Sequence, residues 1–408
     1  MKSKQVFRIL LTLAICVGLG STAFAHNPAA QELGKGFAVG IALNAEVTTN
    51  SFGYRLLRLL NKHWTDDERL AVADSIAEGG LALTALADPG VYIQYGNFRI
   101  HGGAQGEAEV TVPKKLAELA FRGITLEQVE TGDLQFDLAE VRGQGGAYAA
   151  GGLSAAFSLA PYVDLPFDDV VVGVSGRYLH GLAYGETDFG GELEYFEEDG
   201  STRVVSRDLD LKILQSRSGQ GWAFDAGVMA QVSPRLAVDV SVANIGQVVW
   251  TDVSGKRWHR EGEWELVRLG FEPETYEFEF EFADGEGFHP EDITDVEQIT
   301  WKLPVRTRFG VQYDFDRQVT LRGNVRHTRY ASGDADIGFG GQVEYRPLPS
   351  VPITVGADYS TKQQLMLDAG VGLRFTNFKL QLAAKNLHSL FLSEGKGLGL
   401  AVTLGLHF

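Results

Sequence analysis

Large apolar residues fall on every second position along most of this chain. The last eleven residues, LGLAVTLGLHF, place Leu398, Leu400, Val402, Leu404, Leu406 and Phe408 on one parity and Gly399, Ala401, Thr403, Gly405 and His407 on the other. Period two is the side-chain period of a β-strand. FAVGIALNAEV sets Phe37, Val39, Ile41, Leu43 and Val47 against Asn44 and Glu46. FRIHGGAQGEAEVTV sets Phe98, Ile100, Val110 and Val112 against Arg99, His101, Gln105, Glu107 and Glu109. VRTRFGVQYDF and LMLDAGVGLRF repeat the pattern with Phe309, Val311 and Phe315, and with Leu367, Val371 and Phe375. The predicted strands are 35–49, 81–95, 98–112, 140–160, 168–184, 219–233, 235–250, 301–315, 318–330, 335–346, 351–360, 364–375, 377–388 and 397–408. Most run to ten residues or more, the length that crosses a bilayer at a tilt rather than the five or six common in globular sheets.

The connections have a parity of their own. After every second strand the link is short: Gly96-Asn97, 161–167, Pro234, Asp316-Arg317, 347–350 and Thr376. The intervening links include long ones at 50–80, 113–139, 185–218 and 251–300. A β-sandwich gives no reason for that asymmetry. Short periplasmic turns and long outer loops are what an outer-membrane barrel requires. The expected fold is therefore all-β: a transmembrane antiparallel up-and-down barrel of about fourteen strands, with twelve or sixteen as alternatives. Both termini are expected in the periplasm. Trp222, Trp250, Trp301, Tyr313, Tyr345, Tyr359 and Phe408 lie near strand ends, where an interfacial aromatic girdle would form.

The N-terminus supplies the compartment. MKSKQVFRILLTLAICVGLGSTAFA has basic Lys2, Lys4 and Arg8, a short apolar run and Ala23-Phe24-Ala25, the layout of a cleaved export signal over 1–25. That leaves 26–408 as the barrel. Cys16 follows Ile15 where a lipoprotein signal would need a small residue, and it is the only cysteine, so the exported chain has no disulfide. Removing the three leader cations takes the formal charge from −17 to −20, which disfavours nucleic acid as a partner. Mean hydropathy is −0.06, as expected when only alternate strand residues meet lipid. Many of the 49 glycines fall within alternating segments, suiting crowded or curved strand positions.

With these features in view, a likeness can be stated. Phe408, ending an alternating strand, resembles the C-terminal signal by which the barrel-assembly machinery and periplasmic chaperones recognise outer-membrane barrels. The strand count and SVANIGQVVW (Ser241 to Trp250) are similar to the long-chain fatty-acid and hydrocarbon transporter superfamily. The order of strand, helical insert and paired strands resembles more closely an uncharacterised family of predicted barrels related to it. The resemblance implies a barrel in contact with outer-membrane lipid and lipopolysaccharide, passing an unidentified solute of hydrophobic or amphipathic character. The transporters carry a long N-terminal hatch, whereas only HNPAAQELGK precedes the first strand here.

Charge on the inward parity suggests chemistry for the lumen. Arg306, Arg308, Arg322, Arg326 and Arg374 face in, with Lys379 and Lys385, as do Asp314, Asp336, Glu344, Asp358 and Asp368, with Asp225 and Asp239. These are candidates for a constriction, Arg306/Arg308 and Arg322/Arg326 forming one basic cluster. The structural alternative is a set of ion pairs bracing the wall. Two outer loops carry helix signals. Thr65 and Glu68 make a capping box in TDDERLAVADSIAEGG. Pro113 starts PKKLAELAFRG. Leu56, Leu57, Leu59 and Leu60, with Leu116 and Leu119, form a candidate apolar surface at the outer mouth. The alternative is that the helices fold over each other and shield that mouth. Segment 251–300 is an acidic outer loop in which YEFEFEF reads as a hairpin; it lacks the spaced acids of a calcium loop.

No metal site, cofactor or catalytic group is expected. GVSGR (Gly173 to Arg177) fails the spacing of a nucleophile elbow, and the histidines show no ligand spacing. The preferred function is passive, selective passage of a small solute. A polar-solute porin and a membrane-anchored scaffold for a surface or secretion assembly are the alternatives.

Overall fold

The computed structural model describes residues 27–30, 36–51, 65–122, 135–163, 166–198, 201–272, 277–284, 290–294, 296–330, 333, 335–362, 364–387 and 397–408. The leader, together with Leu56, Leu57, Leu59 and Leu60, lies outside them. Fourteen antiparallel strands close into a barrel. They are β1 (Phe37–Thr49), β2 (Leu81–Ala87 continued by Gly90–Tyr95), β3 (Phe98–Val112), β4 (Arg142–Ser158) and β5 (Asp169–Glu198). Next come β6 (Ser201–Ser216 continued by Ser218–Ser233), β7 (Leu236–Thr251 continued by Ser254–Glu272) and β8 (Gln298–Lys302 continued by Val305–Asp314). The wall is completed by β9 (Val319–Arg329), β10 (Ala335–Leu348), β11 (Val351–Ser360), β12 (Gln364–Phe375), β13 (Phe378–Lys385) and β14 (Gly397–His407).

Each strand pairs with the next, and β14 closes on β1 from Ala38 opposite His407 to Thr48 opposite Gly397. Phe408 completes the seam: its N–H donates to Phe37 O at 2.8 Å, and its ring lies 5.9 Å from that of Phe37. A closed wall leaves no unpaired edge, the condition for crossing hydrocarbon with strands. Ile41, Ile93, Ile100, Val174, Phe224, Phe309, Phe339, Val355, Val371 and Leu400 all stand exposed on its outer face. Such a continuous exposed apolar belt is what a bilayer, not water, would cover.

The wall is uneven in height. The segments expected as loops at 185–218 and 251–300 are strand over much of their length: β5 runs on to Glu198, β6 begins at Ser201, and β7 reaches Glu272. Above the belt one sheet face meets water, so the apolar-out parity that marks the lower strands no longer holds. The other face carries a second core, in which Phe136, Leu193, Leu209, Leu211, Trp258 and Phe282 are buried. Glu277–Phe282 returns along β7, with Phe282 opposite Leu266 and Glu277 opposite Glu272.

Two helices cap this region, α1 (Asp66–Asp74) and α2 (Lys114–Arg122). Val72, Ala73 and Ile76 meet Ala117 over Leu81, Leu83, Val110 and Val112. Leu116 packs against both this cluster and the head core, and Leu119 against the head core. These two leucines therefore do not form the free apolar landing surface expected of them. Their helix spends its apolar stripe on shielding strand ends.

Arg257 clamps the head through a two-pronged contact, donating from Nε to Asp210 Oδ1 at 2.8 Å and from Nη2 to Oδ2 at 2.7 Å. Those hydrogen bonds hold the Asp210 carboxyl below its ordinary range. A lowered folded value makes the contribution fully present above the unfolded value of about 3.9 and lost as pH falls through the folded one. Both side chains are over a third exposed or close to it, so the contribution is about 0.5–1 kcal/mol. Near-ultraviolet circular dichroism of the buried Trp258 should therefore stay constant from pH 7 to 5. It should weaken only below pH about 4. Asp210→Asn should show that loosening as a lowered melting temperature already at neutral pH.

Candidate functional site in the barrel lumen

The lumen is crossed by side chains from strands that are not neighbours in the wall. Arg306 of β8 reaches Glu107 of β3 at 3.3 Å, and Lys362, after β11, reaches Glu109 of β3 at 2.9 Å. Lys362 Nζ also sits 4.2 Å from the centre of the Tyr330 ring. Both carboxylates are on the inward parity of β3, five residues and three residues from its outer end. The contacts thus draw opposite walls together near the outer mouth.

Beside these bridges the lumen holds an aromatic core. Trp250, Val248 and Leu179 are fully buried, with Tyr148, Tyr184, Leu214, Trp301 and Leu303. Tyr184 stacks on Trp250 at 5.4 Å, and Trp301 meets Tyr148 edge-on at 6.3 Å and Tyr184 in a tilted contact at 6.4 Å. Glycine makes room: a Cβ on Gly146 of β4 would overlap the Trp301 ring, and one on Gly181 of β5 the Trp250 ring. Trp250 and Trp301 therefore do not belong to the expected girdle. Trp222, Tyr313, Tyr345, Tyr359 and Phe408 do face outward. The Trp250 Nε1–H has no hydrogen-bond partner among the described residues.

Nearer the short turns the lumen is polar. Arg177 donates to Asp225 Oδ1 at 2.9 Å and to Asn244 Oδ1 at 2.6 Å, and the Asn244 N–H donates to Asp225 Oδ1 at 2.8 Å. Asn244 takes φ +63° where the β6–β7 register slips, a left-handed conformation that asparagine tolerates well. His101 and Ser175 meet at 3.2 Å. Below them the turn Pro28–Ala30 enters the lumen. Ala29 is buried against Ala156 and Val171, and Asn27 Nδ2 donates to Val228 O at 3.2 Å. The turn Pro28–Ala30 thus occupies lumenal space.

Comparison with known proteins can now be set beside this geometry. Residues 28–384 match the model of a protein family described as "Family of unknown function (DUF5723)". The chain belongs to that family. Among solved structures it is similar to the toluene transporter TodX of P. putida, with 9% identity, 94% of this chain and 93% of that one covered, and a TM-score of 0.46. It is also similar to the monoaromatic hydrocarbon channel CymD, with 11% identity, coverage of 96% and 94%, and a TM-score of 0.48. A FadL homologue of Pseudomonas aeruginosa gives 11% identity, coverage of 97% and 98%, and a TM-score of 0.45. No curated protein matches the chain.

Within this family member the inward charges do not form one ring. Arg308 lies opposite Arg326 across β8 and β9, whereas Arg322 lies opposite Gln312, four residues nearer the short turns. That offset is about 13 Å, so the expected cluster of four arginines divides into two levels, and Arg306 leaves it to bridge the lumen. At the lower level Glu344 is buried among Arg322 at 3.0 Å, Arg346 at 2.7 Å and Arg374 at 3.3 Å. At the upper level Arg326 pairs with Asp358 at 2.9 Å, and Arg308 is exposed with no ion pair among the described residues. Asp314 accepts from Thr320 Oγ1 at 2.7 Å, Asp336 from Thr361 Oγ1 at 2.7 Å, and Asp368 from the Asn386 N–H at 3.0 Å. Most of these groups brace neighbouring strands. Sequence reasoning missed the bridging role of Glu107 and Glu109, the buried Arg177 and the His101–Ser175 contact. A charged residue on the inward parity of an otherwise Gly- and Ala-rich strand was the available signal for the first two.

His101 and Ser175 do not make a hydrolytic triad with Asp225. Both are buried, and the Asp225 carboxylate is held by Arg177 and the Asn244 N–H rather than orienting the imidazole.

Proposed function

We propose that this protein is an outer-membrane barrel that passes a small hydrophobic or amphipathic solute through a lumen closed to ions at rest. The short turns and both termini face the periplasm, and the β5–β7 head stands outside the cell. The observation that carries the reading is the aromatic core of Tyr148, Tyr184, Trp250 and Trp301 beside the Arg306–Glu107 and Lys362–Glu109 bridges. An apolar solute can replace the contacts that the rings lose when they part, because dispersion and hydrophobic contacts are non-directional. A hydrated ion gains far less, since these rings offer too few polar groups to replace the water it would shed. The unpartnered Trp250 N–H adds one donor, which suits a solute with a single acceptor.

The test is uptake. Proteoliposomes of the refolded mature chain should admit a small uncharged aromatic fluorophore faster than protein-free liposomes, and should exclude a charged dye of similar size. Equal rates for the aromatic with and without protein would overturn the reading. The head, with a core of its own, favours a second reading in which the barrel presents a surface platform. That reading predicts no flux and a stable protein partner at the head.

A further inference from the structure

Among the described residues the outer wall holds a recess that opens on its outward face. It encloses about 810 Å³ between β6, β7, β8 and β9. Trp222, Phe224, Ile245 and Val305 supply apolar lining, and the first three stand exposed on the outward face. The recess exists because the wall is interrupted there. The β6–β7 register slips between Val242 and Ile245, and β8 breaks at Leu303-Pro304, where proline has no N–H to give the ladder.

Two cations stand at the rim. Lys302 lies opposite Gln247 and Arg329 opposite Val305, both on the outward parity, both exposed and both without an ion pair among the described residues. They sit about 10 Å apart along the wall. Arg329 ends β9 at the end remote from the short turns, so under the orientation proposed above the pair lies at the outer-leaflet headgroup level. An apolar recess topped by two unpaired cations matches an acyl-bearing molecule with phosphates at its head. We propose that this recess binds the phosphorylated, multiply acylated lipid of the outer leaflet, the lipid A part of lipopolysaccharide. Acyl chains fill the floor formed by Trp222, Phe224 and Ile245. Lys302 and Arg329 each take a phosphate through charge-assisted hydrogen bonds. Occupancy also covers the stretch where the wall ladder is interrupted.

This inference rests on the outer-membrane placement and orientation in the proposed function, but not on the solute. The test is native mass spectrometry of the full mature protein, extracted from outer membranes in mild detergent. Wild type is compared with Lys302→Ala/Arg329→Ala and with Arg235→Ala/Arg317→Ala, whose exposed cations lie at the short-turn end. Wild type and the short-turn variant should carry a lipid A-bearing adduct, and Lys302→Ala/Arg329→Ala should lose about tenfold of it or more. Equal adduct in all three, a glycerophospholipid in its place, or no adduct on wild type would overturn the proposal. Heat-modifiable migration of each variant shows that the barrel is folded. Density fractionation of the cells shows where it resides, which separates failure of this site from failure of the outer-membrane reading.

Discussion

Trp250→Ala should cost the barrel about 3–5 kcal/mol, among the largest losses expected of any single substitution here. The indole is fully buried, stacks on Tyr184 at 5.4 Å and fills the space left by Gly181 and Gly219. Those glycines have no side chain to move into the gap, so the cavity term adds to the lost transfer energy. The void also lies in the lumen rather than in a sealed interior, and water can enter it from the polar level below. Two readouts should therefore move together: a lower temperature for the folded-to-unfolded shift in gel mobility, and ionic leak through a barrel that is still folded. Trp222→Ala removes a ring of the same size from the outward face, where lipid replaces the lost contacts. It should cost well under half as much and produce no leak. Similar losses from both substitutions would mean that the aromatic core is not what fills the lumen.

Asp225→Ala should be as damaging through a different term. It leaves the Arg177 guanidinium, 5% exposed, with Asn244 Oδ1 as its one remaining acceptor among the described residues, and it orphans the Asn244 N–H at a left-handed turn. Removing one member of a buried ion pair costs about 3–5 kcal/mol because the other charge stays desolvated. Taking both charges away removes that penalty. Arg177→Met/Asp225→Leu should therefore recover more than half of the loss caused by Asp225→Ala, as read by denaturant midpoints in detergent micelles. A double variant less stable than the single one would show that the pair is net stabilising. The lower-level cluster around Glu344 should respond less steeply, since Arg322, Arg346 and Arg374 are each a quarter or more exposed and can rehydrate in the lumen.

The contrast between these two sites and the wall shows what could be read from the chain. Strands such as β3, β9 and β14 were legible because a belt of lipid imposes one rule on one parity over ten or more residues. The seam of β14 on β1 followed from the alternation running to Phe408. Where the surroundings change, the rule changes. The upper parts of β5, β6 and β7 have water on one face and a private core on the other, so RVVSRDLDLKILQ reads as polar loop although it is strand with a bulge at Asp208. In GQVVWT both parities are apolar, and nothing in the order of residues tells that Val248 and Trp250 point inward while Val249 points out. Arg306 and Glu107 are separated by 199 residues and by four strands of the wall. Cross-strand spacing, which placed Arg308 beside Arg326, has no means of pairing residues across a lumen. The recess at Lys302 and Arg329 needed the register slip at Asn244, which sequence periodicity does not encode.

The most direct test of a lumen closed at rest is ionic conductance. The refolded mature protein should be inserted in planar bilayers at moderate salt and recorded beside a Trp250→Ala/Arg306→Ala variant that loses both the aromatic core and a bridge. Wild type should be electrically silent or show only rare brief openings, while the variant conducts steadily. Steady conductance by wild type would contradict the account and make this barrel an open, polar-solute pore.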